Sequence, residues 1–318
     1  MTHLWRWLLM LLPFALWGTA MTAMAPLVHS SSPVLVAALR LLPAGVAVLA
    51  TLLALGRPLR VSCSDLPWLF LFALVDGTIF QFLLARGLAS TGAGLGSILI
   101  DSQPLMVALL ARVLFGEAIN PVGWVGLSLG FLGIIFLGVP LPLFRYVVFS
   151  TEESISSIAW ENGGLWMLAA AVAMASGTVL IRYASRSSEP IVITGWHMII
   201  GSLPLVIWHL LTTHKSPIPT WSINEWLQMG YASLLGGALA YGIFFWLAYR
   251  IELTSFSTLG FLTPVFAIFS GGLLLGERLS ATQWIGTILA LSSVILVSQR
   301  HRLWGPPALI GTSKELGV

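Results

Sequence analysis

The sequence predicts an all-α polytopic membrane protein with ten transmembrane helices, arranged as two inverted five-helix repeats. The first observation is composition: 57% of the 318 residues are hydrophobic and 8% are charged, whereas a soluble domain carries about 25% charged residues. The second is a series of apolar windows long enough to cross a bilayer, which takes about 20 residues per helix. The third is an internal repeat of landmark residues. These observations exclude a water-soluble fold.

Apolar windows bounded by charges, prolines and glycines define the predicted spans. The first five lie near residues 5–28, 33–55, 66–88, 92–114 and 121–140. The second five lie near residues 163–184, 190–212, 226–248, 254–275 and 281–299. The predicted domains are a first repeat over 1–140, an external linker over 141–162, a second repeat over 163–299 and a cytoplasmic tail over 300–318.

The positive charges predict the orientation of these spans. With a cytoplasmic amino terminus, ten of the 15 Lys and Arg residues fall inside, four fall outside, and Arg40 lies within a span. Cytoplasmic loops carry the excess of Lys and Arg, so this asymmetry predicts that both termini are cytoplasmic. The basic residues stand singly between apolar runs, which argues against nucleic acid as a partner. The predicted location is the plasma membrane, with a bacterial inner membrane favoured.

The two predicted halves carry matching landmarks at a nearly constant offset. The matches are Pro104 with Pro264, Gly116-Glu117 with Gly276-Glu277 and Trp124 with Trp284 at an offset of 160, and Arg40 with His197 at an offset of 157. Each half has an odd number of spans, so the second half enters the bilayer from the opposite side. Inverted repeats of this kind are typical of secondary transporters, whose site lies near the membrane midplane between the halves.

The same landmarks resemble those of a known family. Trp17-Gly18-Thr19, Ala38-Leu39-Arg40 and the run from Pro104 through Gly116-Glu117 to Gly126 resemble one half of a drug/metabolite transporter of the EamA type, and Pro264 through Gly276-Glu277 to Trp284-Ile285-Gly286 resembles the other half. The resemblance covers about residues 5–299. It implies ten helices around a central cavity lined mainly by the first, third, fourth, sixth, eighth and ninth, with an aromatic wall formed by Trp17, Tyr241 and Phe245. Amino acids, metabolites, drugs and sugars are the solutes it implies.

Two acidic residues lie inside predicted spans, and the family motif does not account for them. At 1.5 Å per residue, Asp101 lies about 14 Å from the outer end of the fourth span and Asp76 about 15 Å from the inner end of the third. The two carboxyl groups therefore share one depth. An ionised group at this depth is costly and usually faces a cavity or a partner. One interpretation is that the pair exchanges a proton or holds a cationic group. The alternative is an architectural role, in which Arg40 neutralises the carboxyl groups or Ser97, Gln81 or Gln103 forms hydrogen bonds with them.

Two prolines are candidate hinges. Pro104 and Pro264 each remove a backbone donor and free carbonyl groups, which are tolerated only beside protein or a water-filled cavity. The alternative is a fixed kink that shapes packing. The residues before them differ between the repeats: Gln103 aligns with Thr263, and Asp101 aligns with Phe261. The predicted pathway therefore has its charge in one repeat only.

Other polar residues near the helix ends have competing interpretations. Arg40 and His197 are each a candidate gate or counter-ion, although an Arg near a helix end can snorkel to the interface and a buried His can serve packing. Glu117 and Glu277 each follow a glycine, and we interpret them as surface residues that lead into loops rather than as solute ligands.

Small residues recur at a four-residue spacing in the fifth and tenth spans. Gly126-x-x-x-Gly130 matches Gly286-x-x-x-Ala290, and this spacing lets helices approach closely. We expect these helices to form a scaffold, with a homodimer contact as the alternative.

The leading functional hypothesis is a secondary transporter of a small organic solute such as an amino acid, a metabolite or a drug-like cation. Export is favoured, and proton coupling is a further hypothesis. The single cysteine and the six scattered histidines predict no metal site, and no phosphate loop or nucleophile elbow indicates an enzyme or a cofactor. The alternatives are a membrane-embedded enzyme that uses the paired aspartates and a non-transporting membrane subunit. The predicted partners are the solute and membrane lipid.

Overall fold

The computed structural model describes residues 3–138, 163–212, 219–267, 269 and 281–304, and these residues form helices and connecting turns with no β-strand. The helices of the first half are α1 (His3–Ser30), α2 (Pro33–Ala54), α3 (Leu66–Phe72), α4 (Gln81–Ile100), α5 (Gln103–Phe115) and α6 (Pro121–Gly138). Those of the second half are α7 (Gly164–Ala184), α8 (Pro190–Thr212), α9 (Ile223–Ser233), α10 (Ala240–Arg250), α11 (Leu253–Ser257) and α12 (Ala281–Trp304).

Most of these helices follow the predicted spans closely, and α8 has the predicted bounds. At two places a helix continues beyond the predicted bounds. Helix α4 continues through the predicted gap between the third and fourth spans, and the chain leaves the helix at Asp101 and Ser102 instead. Helix α12 extends to Trp304, so the tail predicted to begin at residue 300 begins within a helix. The predicted linker and residues 305–318 lie outside the described residues.

The break after α4 has a local cause in the proline that follows it. Pro104 stands in the first turn of α5 and has no N–H to continue the helical bonding of α4. The carbonyl of Leu99 is satisfied instead by the backbone N–H of Ser102 at 3.3 Å and by its hydroxyl at 2.7 Å. In the second half, the 3₁₀ segment Thr258–Leu262 precedes Pro264 in the same way. Both prolines therefore follow an irregular turn.

Two π-helical segments interrupt the helical ladders at corresponding places. The first, Ala73–Phe80, joins α3 to α4, and the second, Leu234–Leu239, joins α9 to α10. Each contains a glycine against a neighbouring helix. A Cβ at Gly77 would lie 2.8 Å from the Cα of Gly201 in α8, and one at Gly237 would lie 2.8 Å from the Cβ of Ala44 in α2. The π segments therefore allow two close helix crossings.

The outer surface is apolar, as a bilayer requires. In the part of the chain that the structure describes, six helical stretches are long and apolar enough to cross a membrane, and four shorter apolar helices accompany them. The stretches are Trp5–Ser30, Pro33–Ala54, Leu66–Ser90, Gly164–Ala184, Pro190–Thr212 and Ile223–Arg250. Large side chains such as Val113 and Leu211 are 78% and 76% exposed, whereas Asp76 and His197 are fully buried. This distribution is the reverse of that in a soluble protein and fits a polytopic membrane fold.

Small residues bring α6 and α12 together along their length. A Cβ at Gly126 would press on Val297, and one at Gly133 would lie 2.9 Å from the backbone nitrogen of Ala290. Gly130 faces the ring of Phe261. The small-residue pattern of the predicted fifth and tenth spans therefore lies within a helix pair of one chain.

Charged side chains join the loops at one end of the helix bundle. Arg57 pairs with Glu189 at 2.5 Å, and the carboxylate of Asp65 accepts the backbone N–H of Ser187 at 2.9 Å. These contacts tie the α2–α3 connection to the α7–α8 connection. We refer to this end as the charged end.

Candidate functional site

A small cavity lies at the centre of the bundle, beside the break between α4 and α5. Its free volume is about 50 Å³, which holds a few water molecules, whereas pockets for drug-sized ligands measure about 300–1,000 Å³. The lining residues are Phe14, Trp17, Met21, Arg40, Phe80, Leu84, Ile100, Asp101, Gln103, Met174, Tyr241, Gly260 and Thr263. The cavity is therefore narrow, largely apolar and supplied with both a carboxyl group and a guanidinium group.

Asp101 brings its carboxyl group to this cavity from the turn that precedes Pro104. Its side chain is 9% exposed, and no residue in the described part of the chain forms a hydrogen bond or an ion pair with it. Helical bonding ends at Ile100, so the turn aims the side chain inward rather than along a helix face. A buried carboxyl group without a partner is costly. This group is available to a proton or a cationic ligand.

Arg40 reaches the cavity from the middle of α2 and does not snorkel to the interface, because it is 3% exposed. Its Nη1 donates to the side-chain oxygen of Gln81 at 3.4 Å, and Gln81 donates in turn to the hydroxyl of Tyr241 at 3.0 Å. The guanidinium lies 5.8 Å from the centroid of the Tyr241 ring. The Nε of Arg40 is buried and has no partner among the described residues.

Aromatic rings form part of the cavity wall. The rings of Trp17 and Tyr241 lie 5.0 Å apart, and Phe14 packs edge-on against Trp17 at 5.8 Å. The indole N–H of Trp17 donates to the carbonyl of Gly236 in the second π segment at 3.0 Å. The structure therefore places Trp17 and Tyr241 on the cavity, as the resemblance implies. Phe245 lies behind this wall and is not among the lining residues.

Asp76 bonds to His197 and is not among the residues that line the Asp101 cavity. Its Oδ2 lies 3.1 Å from the Nε2 of His197, and both side chains are completely buried. The Nδ1 of His197 lies 2.6 Å from the carbonyl of Thr194. The His197 ring stacks on Phe72 at 4.1 Å and meets Phe245 edge-on at 5.5 Å. Among the described residues, the side-chain partner of Asp76 is therefore His197 and not Asp101.

The remaining predicted pathway residues divide into two groups. Gln103 and Thr263 line the cavity, and the amide of Gln103 donates to the hydroxyl of Thr178 at 3.4 Å. Phe261, the repeat partner of Asp101, is fully buried against Gly130 instead. The two repeats therefore present different chemistry at the matched position.

Glu117 lies in the loop that follows α5, as the sequence predicted, but its side chain is partly buried rather than exposed at the surface. Its carboxylate accepts the backbone N–H groups of Leu253 and Thr254, both at 3.0 Å, and pairs with Arg182 at 3.3 Å. The carboxylate therefore caps the first turn of α11, whose free N–H groups need acceptors. The sequence feature that indicated the end of α5 was Gly116, which has a φ of +66° and ends the helix in the left-handed conformation. Glu277 lies outside the described residues.

Sequence reasoning missed the apolar lining residues and the contacts made across the bundle. Phe14, Met174 and Gly260 line the cavity. Each lies in an apolar stretch of sequence in which nothing distinguishes a cavity residue from a residue that only packs against other helices. The partner of His197 is 121 residues away, and no local pattern announces it. Among the described residues, no group of three or more His, Cys, Asp or Glu side chains could hold a metal ion.

Comparisons with known proteins agree with this architecture. The EamA-like transporter family model matches residues 4–139 and 161–299. An uncharacterized transporter of Synechocystis sp. is 46% identical over 95% of this chain and 92% of its own. A chloroplastic WAT1-related protein of Arabidopsis thaliana is 42% identical over 92% and 69%, and the inner membrane transporter YedA of Escherichia coli is 26% identical over 90% and 88%. A solved structure with 20% identity superimposes with a TM-score of 0.75 over 93% of this chain and 97% of that one.

Proposed function

Because the chain belongs to the EamA-like transporter family, we propose that it is a secondary carrier that moves a small organic solute through the Asp101 cavity. The observation that carries this proposal is the carboxyl group of Asp101, which is buried at the cavity without a partner in the described part of the chain. Inverted-repeat carriers bind their solutes at this depth, between the two halves. The family consists of transporters, so an enzyme that uses paired aspartates is not proposed.

The carrier is built, in this proposal, from ten spans in two inverted repeats of five. Support comes from the family model, which matches the chain twice, over residues 4–139 and 161–299. Further support comes from the two π segments and their glycines. Gly77 meets Gly201, and at matched positions Gly237 meets Ala44. Two equivalent crossings of this kind are expected where two similar halves pack around a pseudo-two-fold axis.

The lining chemistry favours a solute that carries an ammonium or another cationic group. Asp101 would bind this group, while Arg40 offers a site for a carboxylate on the same solute, as in an amino acid. The rings of Trp17 and Tyr241 supply faces on which an organic cation can rest. The cavity of about 50 Å³ is too small for such a solute, so this conformation is closed and the helices must part for binding.

The carrier is proposed to lie in a plasma membrane with the charged end in the cytoplasm. Arg57, Arg182 and Arg300 all lie at this end, each in contact with a carboxylate. An excess of basic residues marks the cytoplasmic side of membrane proteins. The relative from Escherichia coli is described as an inner membrane protein, which supports the same location.

The test is solute flux into proteoliposomes, using a panel of radiolabelled amino acids and monovalent organic cations. Wild-type protein should transport at least one class, and Asp101→Asn should reduce that flux at least about 100-fold, because Asn keeps the shape but cannot pair with a cation. Asp65→Asn removes a carboxylate far from the cavity, at the charged end, and should transport as the wild type does. Full flux in Asp101→Asn, or no flux of any solute in the wild type, would refute the proposal.

A further inference from the structure

Two buried polar atoms of opposite character remain without partners near the centre of the bundle. One is the Nε of Arg40, a cationic donor, and the other is the Oδ1 of Asp76, a carboxyl acceptor. The charge of Arg40 acts on the Asp76 carboxyl group. Buried polar groups are nearly always satisfied, so each exception calls for an explanation. Here the donor and the acceptor could satisfy each other.

The contacts of His197 show how many protons its pair with Asp76 holds. The carbonyl of Thr194 can only accept, so the Nδ1 of His197 at 2.6 Å must carry a hydrogen. The 3.1 Å contact between Nε2 and Oδ2 then needs one further proton, located on either the ring or the carboxyl group. In both arrangements the pair is neutral overall and holds a single shared proton.

Removal of this proton would make the observed contact repulsive. The Nε2 lone pair would then face a carboxylate oxygen at 3.1 Å with no hydrogen between them. The carboxylate would be negatively charged in a fully buried site, where an unpaired charge is very costly. Arg40 is the cation available to it among the described residues. Gly177 makes room for the Asp76 carboxyl group on this side, because a Cβ at that position would collide with Oδ1.

We propose, on the basis of the carrier function above, that the Asp76–His197 pair is the proton-binding site of the transport cycle and that Arg40 switches between Gln81 and Asp76. In the protonated state Arg40 bonds to Gln81, as observed. On deprotonation the shared proton leaves for water, the ring stays neutral, and the Asp76 carboxylate pairs with Arg40. Proton uptake reverses each of these changes.

Gln81 and Tyr241 connect the movement of Arg40 to the solute cavity. Gln81 bonds both to Arg40 and to the hydroxyl of Tyr241, and Arg40 and Tyr241 line the cavity. Movement of Arg40 toward Asp76 would remove a positive charge from beside the cavity and would release Gln81. Within the described ranges, the titratable and charged groups of the packed helices that act electrostatically on Asp76, besides His197, are Arg40 of α2 and Tyr241 of α10. Deprotonation would thereby change the charge available to the solute.

The first experiment measures the proton directly and needs no solute. Purified protein would be titrated while the carboxylic acid infrared band and the ring nitrogen signals of ¹⁵N-labelled histidine are recorded. Other carboxyl groups and histidines also contribute to these signals, but we expect one step to have the same midpoint in both, because one proton is shared, and Asp76→Asn should abolish that step. Arg40→Gln should move the midpoint to higher pH by about one unit or more, because the cation favours the carboxylate. Ser202→Ala, a buried change on the same helix as His197, should leave the midpoint in place.

The second experiment asks whether transport moves this proton. In proteoliposomes that contain a pH-sensitive dye, a solute gradient should drive proton movement with wild-type protein and with Ser202→Ala, and should drive none with Asp76→Asn or His197→Gln. A midpoint unchanged by Arg40→Gln, or solute flux in the wild type without proton movement, would overturn the inference and leave the carrier function standing. If the wild type moved no solute, the proposed carrier function would be refuted. The titration midpoints of the wild type and Arg40→Gln would then decide whether the Asp76–His197 pair binds a proton under the influence of Arg40.

Discussion

At the scale of single residues, the contact between Trp17 and Gly236 shows how a cavity residue is held in place. The indole N–H satisfies a carbonyl of the second π segment at 3.0 Å, while the ring faces the cavity and Tyr241. Trp17 is 7% exposed, so water cannot replace the bond. The side chain therefore both shapes the cavity wall and fastens α1 to the π segment.

Trp17→Phe should lower the free energy of unfolding by about 1–3 kcal/mol, because a buried hydrogen bond and part of a buried ring are lost together. Thermal unfolding in detergent would measure the change. The matched control is Trp5→Phe in the same helix, since Trp5 is 63% exposed and should change stability little. Equal effects of the two substitutions would mean that the Gly236 bond contributes nothing measurable.

The sequence indicated three residues that line the cavity but not their partners across the bundle. Asp101, Trp17 and Tyr241 are recognisable because a charge within an apolar run and the family landmarks single them out, and all three lie on the cavity. The pairing of Asp76 with His197 was not predictable, because it depends on how the first π segment packs against α8. Burial of Arg40 likewise depends on neighbouring helices that no local pattern specifies.

At the scale of helices, the sequence predicted the interruptions next to the prolines but not the π-helical segments. A proline in the sequence predicts a local interruption of helical hydrogen bonding, and irregular turns do precede Pro104 and Pro264. The π segments carry no such signal: Leu234–Leu239 consists of apolar residues and glycines, and Ala73–Phe80 adds Asp76 and Thr78, but neither segment has a residue that by itself indicates a π turn. The extra residue in a π turn is set by the packing of a neighbouring helix, such as the close crossings at Gly77 and Gly237.

The two prolines give a prediction about motion. Pro104→Ala and Pro264→Ala each restore a backbone N–H and favour a continuous helix by about 1 kcal/mol, which corresponds to a factor of about five in population. Solute turnover should therefore fall about fivefold in each variant, while solute affinity in equilibrium binding stays near that of the wild type. Pro43→Ala, in the exposed middle of α2, is the control. Unchanged turnover in both variants would leave these prolines as packing residues.

At the scale of the whole molecule, the distribution of polar groups separates the two ends of the bundle from its middle. The outer surface of the spans is apolar, the buried charged groups of Arg40 and Asp101 line the cavity, and a network of ion pairs and caps joins the loops at the charged end, where Asp65 and Arg300 are also buried. Composition alone predicted the membrane location, because 8% charged residues cannot cover a soluble domain. Orientation is a separate matter, which depends on the small number of Lys and Arg residues in the loops.

Cys63 can test this orientation because it is the single cysteine of the chain and is exposed. It lies in the connection between α2 and α3, at the charged end, close in sequence to Arg57 and Arg60. If the charged end is cytoplasmic, a membrane-impermeant maleimide should label Cys63 in inverted vesicles and leave it unlabelled in intact cells. In a Cys63→Ser background, Ser32→Cys places a thiol at the exposed start of α2, on the opposite side, and should show the reverse pattern. Labelling of Cys63 from outside the cell, together with protection of the thiol at position 32, would invert the proposed orientation and leave the fold and the cavity unaffected.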